Sequence, residues 1–193
     1  MSTLNYYSEH AQEFTSGTVS VDFSTTQNRF LKHLAPGSTI LDFGCGSGRD
    51  SKYFLDYGYK VQAVDGCQEL CKLASNYTGL QVKQMLFQEL EAVAQYDGIW
   101  ACASILHVPK AELGDVLQRM ARALKDGGYA YASFKYGDFE GERNGRYFTD
   151  LTEASFGQLL KKIPELEIVD QWISSDVREG RSNEKWLNAI VRK

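Results

Sequence analysis

Residues 40–50 read Ile40-Leu41-Asp42-Phe43-Gly44-Cys45-Gly46-Ser47-Gly48-Arg49-Asp50, an apolar run passing through three alternate glycines into a helical pattern. The run predicts a strand and the glycines a tight turn whose bare backbone lets a ligand lie close. The helix start adds free amide groups that can face that ligand. Nineteen residues past Gly46 stands Asp65, at the end of a second predicted strand, where a carboxylate can accept from both hydroxyls of a ribose. Strand, glycine turn, helix, strand and acid together describe a nucleoside-binding unit. A dinucleotide turn would carry Gly-x-Gly-x-x-Gly around a pyrophosphate, and here its last position is Arg49.

Outward from this unit, the chain alternates. Helical spacing predicts helices over Leu4–Phe14 and Thr26–Leu34, the latter ended by Ala35-Pro36-Gly37, before the first strand, Thr39–Phe43. A helix over Arg49–Tyr57, a strand over Lys60–Val64, a helix over Gln68–Ser75 and a weaker strand over Leu80–Met85 follow. Gly98–Ala103 reads as a strand, Ala111–Leu124 as a helix with one apolar stripe, and Gly128–Phe134 as a strand after an Asp-Gly-Gly stop. Parallel strands need crossovers, so this βαβ order predicts a mostly parallel sheet with helices on both faces. Thr152 can cap a helix carrying Phe156, Leu159, Leu160 and Ile163. Leu166–Ser174 and Lys185–Arg192 then read as a hairpin joined by a short polar loop, with the last strand antiparallel.

At 193 residues, 43% hydrophobic and 24% charged, the chain is sized and composed as one globular domain. A formal charge of −4 supplies no positive field for nucleic acid or an anionic membrane. No apolar run reaches the ~20 residues that span a bilayer, and the N-terminus lacks the order of a secretion signal, so a cytoplasmic location is expected. The four cysteines, Cys45, Cys67, Cys71 and Cys102, form no CxxC and stand at no metal-ligand spacing to the histidines, so neither a disulfide nor a metal is expected. Nothing in the pattern specifies an oligomeric state.

Asp42-Phe43-Gly44-Cys45-Gly46-Ser47-Gly48 resembles motif I of the class I S-adenosylmethionine-dependent methyltransferases. Val64-Asp65-Gly66 resembles their ribose-binding acid, Tyr96-Asp97-Gly98-Ile99-Trp100 their fourth-strand motif, and Leu124-Lys125-Asp126-Gly127-Gly128 the turn before their fifth strand. The likeness is strongest to the small-molecule, tellurite-resistance-like branch. It implies a Rossmann-like α/β fold with a seven-stranded, mostly parallel sheet whose last strand is antiparallel. It also implies one methyltransferase domain over residues 1–193, with 1–37 a helical lid and 38–193 the core. S-adenosyl-L-methionine would be the cofactor. Gly44, Gly46 and Gly48 would admit its methionine and ribose parts, Asp42 would help hold its amino group, and Asp65 would take the ribose hydroxyls. Gly66 stands where relatives place a bulky residue against adenine, so Cys67 or the Phe87-Gln88 stretch is expected to do that work. Gln88 offers a carbonyl oxygen to the adenine amino group, and Ala103 at the end of the fourth strand completes the cofactor contacts.

Methyl transfer from a sulfonium is a displacement that mainly needs alignment and exclusion of water. His107, following the fourth strand, lies where ligands bind in open α/β sheets and is the candidate base for an acceptor hydroxyl or thiol; a structural role is equally open. The segment Ala101–Ser104 lacks the Asn/Asp-Pro-Pro-Tyr of amino methylases and the Pro-Cys of carbon methylases, which together with the acidic charge favours a small-molecule acceptor. The opening Asn5-Tyr6-Tyr7 resembles that of small-molecule methyltransferases, implying Tyr6 as the catalytic hydroxyl over the cofactor and Tyr7 as part of the acceptor wall. Residues 133–149 read as a polar, glycine-rich loop. Lys135, Tyr136, Arg143, Arg146 and Tyr147 within it are expected to hold a polar or anionic acceptor. The alternatives are an NAD-dependent oxidoreductase on a Rossmann fold, which Arg49 disfavours, and a cofactor-binding regulatory module without turnover.

Overall fold

A computed structural model describes residues 2–193. Five strands run parallel: β1 (Thr39–Phe43), β2 (Lys60–Asp65), β3 (Lys83–Gln84), β4 (Tyr96–Ala101) and β5 (Leu124–Lys135). With β8 (Glu167–Ser175) and β9 (Lys185–Arg192) they form one seven-stranded sheet in the order β3-β2-β1-β4-β5-β9-β8. β9 pairs antiparallel with both neighbours, as the hairpin reading requires. The order runs outward from β1 in one direction and from β4 in the other, so winding reverses between these two strands.

Both sheet faces are buried, and alternation along the strands assigns each residue to one of them. Leu41, Phe43, Ile99 and Ala101 face a cluster shared with Leu113, Val116 and Leu117 of α6 (Lys110–Ala123) and with Phe156 and Leu160 of α7 (Glu153–Leu160). Ile40, Trp100 and Tyr131 face the other way, against Phe30 of α3 (Ser24–Leu31) and Phe54 of α4 (Arg49–Asp56). Trp100 and Tyr131 stack at 4.0 Å across that layer. The expected cap of α7 is present, Thr152 Oγ1 accepting from the Ser155 N–H at 3.3 Å.

Three local expectations are corrected. The first helix breaks at His10 into α1 (Thr3–Glu9) and α2 (Ala11–Thr18); the His10 ring bonds the carbonyl of Tyr6 at 2.8 Å and stacks on its ring at 4.3 Å. The third strand keeps only Lys83–Gln84, because the chain leaves the sheet edge toward a short 3-10 turn over Phe87–Glu89. Residues 133–149 are not an irregular loop. After β5 they fold into an antiparallel hairpin of β6 (Glu140–Arg143) and β7 (Arg146–Thr149), turning at Asn144-Gly145, where both residues have positive φ. That pair is the turn chemistry a two-residue hairpin demands. α5 (Gln68–Thr78) packs against α1 and α2, with Ala11, Cys67 and Leu70 buried between them. Among the described residues no helix is long and apolar enough to cross a membrane.

Candidate cofactor and acceptor site

A crevice opens where the winding reverses, above the C-terminal ends of β1 and β4, the position at which open α/β sheets bind ligands. It holds a cavity of about 840 Å³, in the upper part of the range for small-molecule sites.

Its floor is the glycine turn. The N–H groups of Gly44 and Cys45 both donate to the carbonyl of Val64, tying the turn to β2. Gly44 has φ +88°, and a Cβ there would stand 2.5 Å from Ser104 Cβ, so no side chain fits. At Gly46 (φ +54°) the ring of Phe14 comes within 3.0 Å of the same point. The Gly46 N–H donates to Asp65 Oδ2 at 2.9 Å and the Cys67 N–H to Oδ1 at 2.8 Å. Two amides thus fix the carboxylate in the cavity wall and leave acceptor capacity for two further donors. Burial raises the pKa of Asp65 while these amides oppose the rise. The fit to a ribose is therefore good, and the Gly44 cradle fits a ligand lying on bare backbone.

Not every expected cofactor contact is made. Neither Gly46 nor Gly48 (φ +80°) lines the cavity: the Phe14 ring covers Gly46, and a Cβ at Gly48 would meet Thr78 Cγ2 at 2.9 Å and Ala74 Cβ at 3.1 Å. Gly48 lets α4 begin against α5 rather than admitting a ligand. Asp42 is also displaced from its expected role. It lies beneath the turn, 2% exposed, with Oδ2 accepting from Ser51 Oγ at 2.6 Å, out of reach of an amino group in the cavity. Burial and the adjacent Asp50 carboxylate push its pKa up to about 8. The Cys67 side chain faces the packing of α5 against α2 and does not line the cavity. Gly66 does line it, and Leu4 and Leu86 supply the apolar cover there, at 2.9 and 3.5 Å from where a Cβ would stand. Phe87 and Gln88 also line the cavity. Gln88 donates its amide to Glu112 at 3.1 Å, which leaves its carbonyl oxygen free to accept. Ala103 lies on the wall at φ +49°, a strained conformation for a residue with a Cβ, held by its N–H donating to Ser133 Oγ at 2.8 Å.

Arg49 lines the cavity with a guanidinium where a dinucleotide turn needs bare backbone. It bonds both oxygens of Asp50, at 2.8 and 3.0 Å, and Gln27 and Trp100 donate to the same carboxylate. Burial works against the charge on Asp50, and Arg49 together with the donors Trp100 and Gln27 more than restores it, so Asp50 is held ionised.

The roof of the cavity comes from distant parts of the chain. Tyr7 and His107 line it together, Tyr7 Oη standing 2.9 Å from His107 Nε2. His107 Nδ1 lies 2.6 Å from the carbonyl of Tyr147. A carbonyl only accepts, so Nδ1 carries the ring proton and Nε2 accepts from Tyr7. Burial is the main cause that holds the imidazole neutral, its pKa lowered to about 4, with Arg146 adding to the effect. Tyr6 is corrected as the catalytic tyrosine. One helical residue turns the side chain by roughly 100°, so Tyr6 stacks on His10 outside the cavity, under the Arg146 guanidinium at 4.5 Å. The hydroxyl in the cavity belongs to Tyr7.

The cations of this region divide. Lys135 is paired with Glu184 and lies 3.9 Å from Asp176; Arg143 is paired with the buried Asp150 at 2.6 Å. Both line the cavity with their charge already matched. Arg146 lines it without an ion pair among the described residues, and its buried Nε has no partner. Tyr136 lines the rim, 39% exposed. Tyr147 does not line the cavity: its hydroxyl donates to Glu140 at 2.9 Å, and its backbone carbonyl is what reaches the site. The polar turn between β8 and β9 and the start of β9 also form a wall, with Asp176 and Arg178 of the turn and Trp186 of β9 lining the cavity. The sequence marked the turn only as a connection, since nothing local tells which cavity a loop will border.

Residues 40–128 match the family described as the methyltransferase domain. A 2-methyl-6-phytyl-1,4-hydroquinone methyltransferase of Synechocystis sp. is 27% identical over 125 residues, covering 61% of this chain and 38% of that protein. A ubiquinone biosynthesis O-methyltransferase of Caulobacter vibrioides is 30% identical over 104 residues, covering 50% of this chain and 40% of that protein. The match thus spans about two fifths of the length of these curated relatives. Among solved structures, the Burkholderia thailandensis 1,6-didemethyltoxoflavin-N1-methyltransferase, with 1,6-didemethyltoxoflavin and S-adenosylhomocysteine bound, has the same fold. Its TM-score is 0.76 at 24% identity, over 98% of this chain and 84% of that one. Motif and topology converge with these matches: residues 40–128 match the methyltransferase domain, and the fold is shared with a methyltransferase that binds S-adenosylhomocysteine.

Proposed function

We propose that this protein transfers a methyl group from S-adenosyl-L-methionine to a small polar or anionic acceptor by direct displacement, in the cytoplasm and without a nucleic-acid partner. The observation that carries the acceptor's chemistry is Arg146, a guanidinium with no ion pair among the described residues and a buried Nε without a partner there, in the same cavity as Asp65. A planar fork of donors in a partly desolvated wall suits a carboxylate or similar oxyanion. Lys135 and Arg143, already matched by Glu184 and Asp150, shape the wall rather than add charge to it.

When bound, the cofactor supplies a methyl group already activated for displacement. Asp65 would hold its ribose, the Gly44 backbone would admit its chain, and Leu4, Leu86 and Phe87 would cover its base with the carbonyl of Gln88 as acceptor. Residues 1–37 would serve as a lid on the core of residues 38–193, Tyr7 and Phe14 closing the crevice against water, which aligns acceptor with methyl group and strengthens each polar contact inside. The curated relatives, a hydroquinone methyltransferase and an O-methyltransferase of ubiquinone biosynthesis, support a small-molecule acceptor.

The test is a screen of carboxylated metabolites with isotopically labelled S-adenosylmethionine, followed by kinetics of Arg146→Ala. The proposal expects label in a small anionic product, with the acceptor KM raised and the cofactor KM unmoved in the variant. NAD binding in place of S-adenosylhomocysteine would favour the oxidoreductase reading, and cofactor binding with no transfer to any acceptor would favour the regulatory module.

A further inference from the structure

The hydrogen-bonded chain in the roof does more than close the cavity. Tyr7 Oη donates to His107 Nε2 at 2.9 Å, and His107 Nδ1 donates to the Tyr147 carbonyl at 2.6 Å. The N–H of the same residue, Tyr147, donates to Thr3 Oγ1 at 2.9 Å. Thr149 Oγ1, two residues further on, donates to the Val108 carbonyl at 2.8 Å, so the hairpin is pinned both to α1 and to the segment carrying His107. The imidazole is therefore oriented from behind, with its one lone pair aimed at the Tyr7 hydroxyl. That hydroxyl is the last member of the chain and lines the cavity, with an oxygen lone pair left to accept a proton from a ligand.

We infer that the acceptor presents a hydroxyl, and that its proton leaves through the Tyr7 hydroxyl to His107 Nε2. This rests on the methyl-transfer reading above and names the acceptor atom. A neutral hydroxyl is a weak nucleophile until its proton moves, whereas a neutral amine or ring nitrogen already offers a lone pair. A fixed O–H to nitrogen chain in the wall serves the first and is idle for the second. The step balances. The acceptor oxygen forms a bond to the methyl group and gives its proton to Tyr7 Oη, while the Tyr7 O–H bond breaks and its proton passes to Nε2. The methyl–sulfur bonding pair stays on sulfur, and the thioether leaves neutral. One positive charge disappears from sulfur and one appears on the imidazole, so the net charge of the closed cavity is unchanged.

The charges around the pair suit this direction. Arg146 on β7 stands beside both Tyr7 and His107, Asp65 at the end of β2 and Tyr6 on α1 face Tyr7, and Arg178 in the turn after β8 is near enough to interact with it. Burial raises the pKa of Tyr7, and Arg146 opposes that rise; the hydroxyl therefore stays protonated until a base takes its proton. His107, kept neutral by burial and Arg146, has its lone pair available at every ordinary pH. An oxyanion of the acceptor lying on Arg146 would remove the one cation that opposes an imidazolium.

Two measurements test the relay. Nitrogen NMR of the histidines in the full-length protein reads the His107 tautomer without any acceptor: the proton must reside on Nδ1, and a proton on Nε2 would overturn the inference. The second uses the cofactor-loaded enzyme with 3,4-dihydroxybenzoate, 3-aminobenzoate and 3-mercaptobenzoate as probes. Methyl transfer to the hydroxyl oxygen is expected, with kcat flat between about pH 6 and 9 in the parent. Tyr7→Phe and His107→Gln should each lose roughly 100- to 10,000-fold at neutral pH, then regain about tenfold per pH unit as the phenol ionises by itself. A loss equal at every pH, transfer to nitrogen or sulfur alone, or no transfer to the hydroxyl probe while S-adenosylhomocysteine binds, would each overturn it. Failure of the parent to bind S-adenosylhomocysteine would instead overturn the methyl-transfer reading on which it rests.

Discussion

The two halves of the cavity are built differently. At the ribose end of the cofactor side the contacts are short in sequence: Gly46 reaches Asp65 across 19 positions and Cys67 reaches it across 2, while part of the cover over the base, Leu4, comes from α1. On the acceptor side Tyr7 reaches His107 across 100 positions, His107 reaches Tyr147 across 40, and Tyr147 reaches Thr3 across 144. The first half is backbone geometry that any side chain would spoil. The second is side-chain geometry that exists only when α1, the end of β4 and the β6–β7 hairpin dock together. The hold of Asp65 on the ribose should therefore be robust to changes in the roof, and acceptor chemistry should be lost when any one of three distant segments moves.

Gly46→Val breaks the comparison from the floor. At φ +54°, with Phe14 3.0 Å from the first added carbon, a β-branched side chain is strained and displaces that ring, so calorimetry should find no S-adenosylhomocysteine binding. Deleting the residues before Ser20 attacks the roof instead. Both large core clusters lie outside α1 and α2, so the truncated protein should still unfold cooperatively on heating. Loss of Tyr7 and Phe14 should lower turnover by at least ~100-fold, the scale for misplacing reactive groups. A truncated enzyme with parental turnover would remove the lid from this account.

Asp65→Ala should weaken S-adenosylhomocysteine binding by about 1.5–3 kcal/mol, the range for hydrogen bonds to a charged group. Arg146→Ala sharpens the contrast, with the acceptor KM rising by about 10- to 100-fold and the cofactor KM unchanged; equal changes in both would place Arg146 on the wrong side. A separate effect, on stability rather than on binding, concerns Asp42. Its carboxyl is raised in the fold to about 8 from an ordinary 3.8, so the folded state binds the extra proton. Its contribution to stability is fully present below the ordinary value and is lost as pH rises through about 8. Thermal melts of the cofactor-free protein should fall across that window, and Asp42→Asn should flatten the fall.

The same contrast explains what was legible in the sequence. Short apolar runs identified β1, β4 and β5, because a strand buried on both faces reads as a near-continuous apolar stretch, and the antiparallel tail followed from two strands and a short loop. Asp65 and the Gly44–Gly46 turn were readable because residue type and spacing alone dictate their geometry. Gly48 looked the same by spacing, yet its missing side chain serves the packing of α4 on α5, a tertiary contact no motif records. Asp42 sat in the right motif but under Ser51. Tyr6 and Tyr7 were adjacent and equal in sequence; the break at His10 and the docking of the hairpin decide which hydroxyl enters the cavity. Among the cations of residues 135–146, Asp150 and Glu184 matched two, and only three-dimensional pairing singled out Arg146. The Asn144-Gly145 turn was the one local signal that residues 133–149 hold a hairpin, and it could have been read.

The most direct test of the central claim is isothermal calorimetry of the full-length protein with S-adenosylhomocysteine, run beside NAD and beside Asp65→Ala. The account predicts saturable single-site binding of S-adenosylhomocysteine, no heat with NAD, and a dissociation constant raised by about 10- to 150-fold in the variant. Absence of binding in the parent, or binding as tight in Asp65→Ala as in the parent, would contradict it.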